Sequence, residues 1–113
     1  MLQAAKYYFI NLNLPRAVDN LRYRFRAQPL IYGIRCRLTG KMYIGSTFSP
    51  ENRFYKHLIA GDRSCPELQD DILKYGLESL TVHIFEIVEF PIDLPFKQRK
   101  GYLLETEQRY IDK

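Results

Sequence analysis

Residues 30–46 read LIYGIRCRLTGKMYIGS, and this stretch decides the fold. Two short runs, at residues 31–34 and 42–45, are rich in β-branched and aromatic side chains, and the residues between them include a glycine. This pattern predicts a β-hairpin with a short loop. Because side chains alternate across a strand, Tyr32 is expected to point away from the face that carries Ile31 and Gly33.

The composition is that of one ordinary globular domain. The chain has 113 residues, of which 46% are hydrophobic and 27% are charged, which excludes wholesale disorder. A formal net charge of +4 accompanies nine tyrosines and seven phenylalanines, and this combination suits a nucleic-acid partner. The two cysteines, Cys36 and Cys65, are expected to be reduced thiols of an intracellular protein. No apolar run approaches the ~18 residues of a membrane helix.

Most of the excess positive charge of the chain lies in residues 1–29. Residues 21–26 read LRYRFR, and this period-two alternation predicts an extended segment with three arginines on one side. The segment is interpreted as a basic N-terminal arm that lies along a phosphate backbone, or as an arginine-rich leader for a mitochondrion or another organelle. A solvated edge strand or tether is the structural alternative.

Two helices are predicted after the hairpin. Ser49 as N-cap and Pro50 at the first position begin a helix that should run to about residue 60, with Arg53 and His57 four residues apart on one face. Pro66 begins the second helix, which should end at residues 75–76. Residues 80–90 are apolar on both faces and predict a central strand, and residues 96–112 predict a last helix.

This order of elements resembles the GIY-YIG nuclease family. The halves of the family signature stand at residues 30–32 and 43–45, and the resemblance covers residues 30–113. It implies an α/β (α+β) fold with a small, mostly antiparallel three-stranded sheet flanked by helices. The further matching pieces are Gly45-Ser46, Arg53 with Lys56-His57, Leu68-Gln69 before Lys74-Tyr75-Gly76, and Leu104-Glu105.

The resemblance implies a metal-dependent endonuclease that hydrolyses phosphodiester bonds in nucleic acid with a divalent cation such as Mg²⁺, most similar to the homing endonucleases. By position, Tyr32 would orient or deprotonate the attacking water, and Tyr43 would bind near the scissile phosphate. Arg53 would neutralise that phosphate, His57 would assist as acid, base or phosphate contact, and Glu105 would ligate the metal. The basic side chains expected to contact nucleic acid are Arg22, Arg24, Arg26, Arg35, Lys41, Lys56 and Arg63.

This chemistry is coherent for a phosphodiester. Negative charge grows on the nonbridging oxygens as water attacks, and a fixed guanidinium and a metal ion are suited to stabilise it. The planar fork of Arg53 can grip two oxygens. A tyrosine with a pKa near 10 is a poor base at neutral pH unless a cation lowers that pKa.

Three departures from the family pattern keep a second hypothesis open. Leu30 replaces the first signature glycine, Arg63 stands where homing enzymes often place a histidine, and no DNA-recognition module follows before Lys113. Phosphate contacts alone would position a substrate without specifying its sequence. The alternative is a catalytically idle domain that serves as an RNA-binding structural subunit of an organellar ribonucleoprotein, such as the mitochondrial ribosome. A protein-only interaction module fits the positive charge less well.

Overall fold

The computed structural model describes residues 5–112, which form a four-stranded antiparallel sheet with helices on both faces. The strands follow the spatial order β1-β4-β2-β3, so that β4 and β2 are central. The strands are β1 (Tyr7–Phe9), β2 (Leu30–Cys36), β3 (Met42–Thr47) and β4 (Leu80–Ile87). The helices are α1 (Ala17–Arg24), α2 (Pro50–Leu58), α3 (Pro66–Tyr75) and α4 (Arg99–Ile111), and short 3₁₀ turns precede β4 and α4 at Leu77–Ser79 and Phe96–Gln98.

The predicted hairpin is confirmed. Strands β2 and β3 pair antiparallel from Leu30 opposite Thr47 to Arg35 opposite Met42. The loop contains Gly40 at a φ of 78°, a conformation that side chains other than glycine rarely adopt. The expected alternation also holds, because Tyr32 lies in the core on one face of the sheet.

Two apolar layers enclose the sheet. The larger core lies between one face and helices α1, α2 and α3, and it buries side chains such as Leu21, Phe54 and Leu68. The smaller core lies between the opposite face and α4, where Ile31 and Leu103 are buried. The family-type α+β fold is therefore present, with four strands where three were expected.

Helices α2 and α3 begin at the two predicted prolines, with Ser49 and Cys65 as their N-caps. Gly76 follows α3 at a φ of 80°, as expected for a residue that ends a helix. Helix α2 ends at Leu58, two residues earlier than expected. The last helix is also shorter than predicted, because its first residues form the 3₁₀ turn.

The face of the sheet on which each β4 side chain lies was only partly predicted. Ile31 is opposite Glu86 while Tyr32 is opposite Ile84, so β4 carries one extra residue at this point. Such a bulge reverses the side chains beyond it. Val88 consequently lies in the α4 core, although unbroken alternation assigned it to the same face as Ile84.

The prediction of an extended segment at residues 21–26 is wrong, because most of these residues lie in helix α1. Val18, Leu21 and Phe25 are buried against the sheet and α2. This packing favours a helix and outweighs the period-two pattern of the sequence. Strand β1 pairs with β4 and supplies the fourth strand. Residues 1–4 of the predicted arm or leader lie outside the described residues.

Three smaller expectations concern single residues and the membrane. Cys36 is buried and Cys65 half-buried, and both are free thiols. His83 has no matching partner in the family pattern and is expected to be structural; it lies mid-strand with Nε2 2.9 Å from Thr81 Oγ1. Within residues 5–112, none of the helices has the length and apolar character that crossing a membrane requires.

Candidate active site

A polar pocket of about 270 Å³ opens beside the hairpin. Strands β2 and β3, helices α2 and α4, and the segment before α3 all contribute to its wall. Four of the five predicted catalytic residues line it, namely Tyr32, Tyr43, Arg53 and His57. The structure therefore brings two phenols, a guanidinium and an imidazole from three elements, β2, β3 and α2, to one open cavity.

The fifth predicted residue, Glu105, does not join them. Its side chain is exposed and lines a different depression with Leu94 and Lys97. Glu107 lines the pocket instead. Each residue of an α-helix turns by roughly 100°, so the side chains of Glu105 and Glu107, two positions apart, point about 200° apart. The structure therefore does not bring Glu105 together with the other predicted catalytic residues, and Glu107 is the glutamate of α4 that lines their pocket.

Sequence spacing contained the signal for Glu107. Leu103, Glu107 and Tyr110 are spaced four and three residues apart, so they share one helical face. Leu103 is buried in the core beneath α4, and Tyr110 packs against the same core. Glu107 is on that inward stripe, whereas Glu105 is on the outer side of the helix.

Ser46 holds the Glu107 carboxylate in place. Its hydroxyl donates a hydrogen bond of 2.6 Å to Glu107 Oε1. This contact links the edge strand β3 to helix α4 and fixes the direction in which the carboxylate faces. Ser46 belonged to the signature match, but sequence alone gave it no partner.

Tyr32 is buried and held between aromatic neighbours. Its ring lies edge-on to Phe54 at 5.3 Å between centroids, and its hydroxyl is 3.4 Å from His57 Nε2. Burial is the main cause that raises the pKa of Tyr32 to about 12, the Arg53 guanidinium opposes it, and Glu107 adds to it. The phenol is therefore protonated at neutral pH in the free protein.

His57 is placed to accept a proton. Its exposed fraction is only 5%, and burial, assisted by the positive charge of Arg53, lowers its pKa below the ordinary 6.5. Among the described residues, Nδ1 has no hydrogen-bond partner. The backbone carbonyl of His57 accepts a 2.8 Å hydrogen bond from Gln69 Nε2, which ties this turn of α2 to α3. At neutral pH the imidazole is neutral and one ring nitrogen can act as acceptor.

Tyr43 has a partner that the sequence did not reveal. Its hydroxyl donates a 2.7 Å hydrogen bond to Oδ2 of Asp71, a buried carboxylate on α3. Burial raises the pKa of Tyr43 strongly, and the carboxylate raises it further. Tyr43 is therefore a hydrogen-bond donor at any physiological pH, and Asp71 fixes its orientation.

Arg53 is half-buried at the pocket wall. Within residues 5–112, the only ion pairs join Arg22 to Asp19 and Arg63 to Asp70, so the Arg53 guanidinium is not neutralised by a protein carboxylate. A free guanidinium in a partly buried pocket is suited to bind an anion such as a phosphate group.

The second signature glycine is required by the tyrosine ring. A Cβ atom at Gly45 would lie 2.6 Å from the Tyr32 hydroxyl oxygen and 2.8 Å from its Cζ atom. Gly45 therefore leaves the space that the Tyr32 side chain occupies in the pocket. Leu30, in place of the first signature glycine, is fully buried in the larger core, where it serves packing.

The seven predicted nucleic-acid contacts lie in different surroundings. Arg22 is occupied within the protein, because its Nε donates to the Glu51 carbonyl at 2.8 Å and its guanidinium pairs with Asp19. Arg63 pairs with Asp70, and Arg24 lies 4.7 Å above the ring of Tyr7. The remaining four are exposed, and their contact with nucleic acid stays a prediction. They are Arg26, Arg35, Lys41 and Lys56.

A comparison with protein-family models identifies this arrangement. The model described as GIY-YIG catalytic domain matches residues 28–113, about three quarters of the chain. The chain belongs to the GIY-YIG family. Comparisons with curated proteins and with solved structures give no match. The GIY-YIG domain is a nuclease-type fold, and nucleases of this family act on nucleic acid.

The residues of the pocket fit a hard divalent cation. Glu107 is the one carboxylate among the residues that line the pocket, and within residues 5–112 no group of three or more His, Cys, Asp or Glu side chains is placed so that it could hold a metal ion by itself. Mg²⁺ commonly takes one or two carboxylates and completes its shell with water and substrate phosphate. Glu107 would hold such an ion, with Ser46 as its outer-shell partner.

Proposed function

We propose that this GIY-YIG chain is a metal-dependent endonuclease, similar to the homing endonucleases, that hydrolyses phosphodiester bonds by attack of water. One observation supports the proposal above all. Tyr32, Tyr43, Arg53, His57 and Glu107 meet in a single open pocket although they come from four different elements. A binding surface for phosphate needs the cations alone, whereas this pocket also holds a proton acceptor and an oriented carboxylate.

The proposed proton path runs through Tyr32 to His57. As the water oxygen attacks phosphorus, its proton passes to the Tyr32 oxygen while the Tyr32 proton passes to the neutral imidazole. The Tyr32 hydroxyl oxygen and His57 Nε2 are 3.4 Å apart. This distance is long for a hydrogen bond, as is common before substrate binds. The leaving oxygen takes a proton from water as its bond to phosphorus breaks. Tyr32 thus relays a proton without a free phenolate at neutral pH.

The other side chains stabilise charge and position. Arg53 would grip nonbridging oxygens with its planar fork. Tyr43 donates its hydroxyl proton to Asp71, so its oxygen would accept a hydrogen bond from a water molecule near the same phosphate. The substrate phosphate also offsets the repulsion between Arg53 and a protonated His57. When bound at Glu107, a divalent cation would supply Lewis-acid stabilisation of the negative charge on the phosphate.

The two glutamates of α4 provide a matched test. Supercoiled plasmid and structured RNA are incubated with the purified chain in Mg²⁺ and in chelator. Glu107→Gln is expected to lose cleavage by about 10²-fold or more, because it removes the only pocket carboxylate. Glu105→Gln is expected to keep the wild-type rate, because that side chain is exposed outside the pocket.

Several outcomes would decide against the enzyme. Cleavage that persists in chelator, or that falls equally in both variants, would contradict the assigned role of Glu107. Salt-sensitive binding without cleavage, unchanged in Glu107→Gln and Arg53→Ala, would support the idle RNA-binding subunit instead. Arg53→Lys separates charge from geometry, since lysine keeps the charge but lacks the two-pronged grip.

A further inference from the structure

A second cavity, larger and of different chemistry, lies beyond the end of strand β3. It is a groove of about 830 Å³ whose wall combines phenyl rings with cationic side chains. None of its lining residues is acidic, and none belongs to the catalytic pocket. The lining residues that carry the argument are Phe48, Phe90, Phe96, Lys97, Arg99 and Lys100.

The aromatic rings form an exposed stacking surface. The Phe48 and Phe90 rings lie 5.9 Å apart at an interplanar angle of 25°. Phe96 leaves 82% of its surface exposed, and Phe48 leaves 41% exposed. A cluster of exposed phenylalanines in a concave surface is costly in water and typical of a binding site. Flat rings at this density suit a planar aromatic partner.

The cations stand at the beginning of helix α4, where their charge is least favourable to the protein. Helix N-termini favour acidic residues, but the first turn of α4 contains none. Lys97, Arg99 and Lys100 occupy this end instead. The Nε atom of Arg99 is buried without a hydrogen-bond partner among the described residues, and its guanidinium lies 5.1 Å from the Phe90 ring. A bound anion would interact favourably with the N-terminal end of α4 and with these cationic side chains.

The groove lies next to the catalytic pocket, beyond the end of β3. Ser46 lines the pocket and Phe48 lines the groove, two residues further along the chain. At ~3.3 Å per residue these positions are separated by roughly 7 Å. A strand whose phosphate sits at Arg53 therefore passes the groove close to the site of attack.

We propose that this groove binds an unpaired nucleobase of the substrate strand, stacked on the phenylalanines, with its phosphate held by the cations of α4. The inference rests on the proposed function, because it assumes a nucleic-acid strand in the neighbouring pocket. Base stacking on aromatic side chains beside a basic track is a general mode of single-strand binding. A second copy of the chain fits less well, since a two-fold contact would bring Lys97, Arg99 and Lys100 against the same three cations.

The experiment measures the affinity of the full chain for single-stranded DNA in chelator, so that cleavage does not interfere. Fluorescence anisotropy with a fluorescein-labelled oligonucleotide gives the Kd of wild type, Phe48→Ala and Phe96→Ala. The control is Ile92→Ala, which removes a fully exposed apolar side chain of the preceding loop outside the groove. Circular dichroism checks that each variant is folded. Each phenylalanine variant is expected to bind about 5- to 150-fold more weakly, and Ile92→Ala like wild type.

Two further arms separate stacking from charge. An abasic site is moved along the oligonucleotide, and at one position it should weaken wild-type binding while leaving Phe96→Ala unaffected. Lys97→Gln and Lys100→Gln should each lower the slope of log affinity against log salt by about 0.7, the value of one single-strand phosphate. Lys74→Gln, at the far end of α3, is the matched control for charge.

Every outcome bears on the inference. If the phenylalanine variants bind like Ile92→Ala while metal-dependent cleavage is intact, the proposed role of the groove is refuted and the proposed nuclease function is not. Groove-dependent binding without cleavage would support the groove and contradict the nuclease. A chain that binds no nucleic acid would overturn both. A dimer in sedimentation equilibrium that Phe96→Ala dissociates, with DNA affinity unchanged, would assign the groove to a second copy and refute the proposal.

Discussion

Gly45→Ala tests whether the position of the Tyr32 ring controls the chemistry. The added Cβ would lie 2.6 Å from the Tyr32 hydroxyl oxygen and 2.8 Å from Cζ, whereas ordinary contact begins at 3.4 Å. The ring must therefore move by roughly 0.6 to 0.8 Å, or the backbone of β3 must give way. Tyr32 is buried against Phe54, so its ring has little room to move without displacing the hydroxyl from His57.

The expected loss follows from that displacement. A misplacement of ~1 Å at a reacting group costs about 10²-fold in rate, so a smaller shift should lower single-turnover cleavage by about 10- to 100-fold. Overpacking should also lower the free energy of unfolding by about 1–3 kcal/mol, measured by urea denaturation. The rate is measured under single-turnover conditions so that product release does not conceal the chemical step.

Gly101→Ala is the matched control for this substitution. Gly101 lies in α4, and a Cβ atom there would meet nothing within 4 Å. This change should leave cleavage unaltered and raise stability by about 0.5–1 kcal/mol, since alanine favours a helix over glycine. If Gly45→Ala cleaves and unfolds like wild type, the steric account of the second signature glycine is wrong.

Two further predictions concern the proton acceptor and the buried carboxylate. Burial and the charge of Arg53 lower the pKa of His57 below its ordinary value, so the cleavage rate should rise with pH in the acidic range and level off by neutral pH, where the imidazole is neutral. A rise that instead continues toward about pH 12 would make the Tyr32 phenolate itself the base. Asp71→Ala should lower the free energy of unfolding by about 1–3 kcal/mol, because the half-buried Tyr43 hydroxyl loses its acceptor. The exposed neighbour gives the comparison: Asp70→Ala should cost less than ~1 kcal/mol in the same urea titration, and equal costs would contradict the role of Asp71.

Much of the fold was predictable because local signals and tertiary packing agree. The hairpin has β-formers on both arms and a glycine where φ is positive, and α2 and α3 have proline at their first positions. The central position of β4 followed from apolar residues on both of its faces. In these places the short-range pattern and the final contacts indicate the same structure.

The errors arose where two patterns competed or where a contact crossed the fold. Residues 21–26 alternate with period two, but Val18, Leu21 and Phe25 are also spaced three and four apart, and burial of that stripe favours the helix. The bulge at the middle of β4 left no sequence signal such as glycine. Pairings such as Tyr43 with Asp71 join residues far apart in the chain, and sequence alone does not position them.

The candidate site was predicted in its residue types more fully than in its geometry. Tyr32, Arg53 and His57 come from the segments that carry the family signature, where spacing fixes the face of each element. The predicted carboxylate, Glu105, lies two residues away from the one that lines the pocket, because the match of Leu104-Glu105 to the family was followed instead of the helical period. Counting from Leu103, which faces the core, leads to Glu107.

The first helix and first strand have a consequence for how the molecule is dissected. The family match begins at residue 28, yet Leu12, Val18, Leu21 and Phe25 complete the larger core from outside it. Each such side chain contributes about 1.5–3 kcal/mol when buried, and a whole domain retains only about 5–15 kcal/mol. A fragment truncated at the family boundary would also leave β4 with an unpaired edge. The folding unit of this chain is thus longer than the portion that the family model matches, and truncation before residue 28 should yield an insoluble or unfolded product.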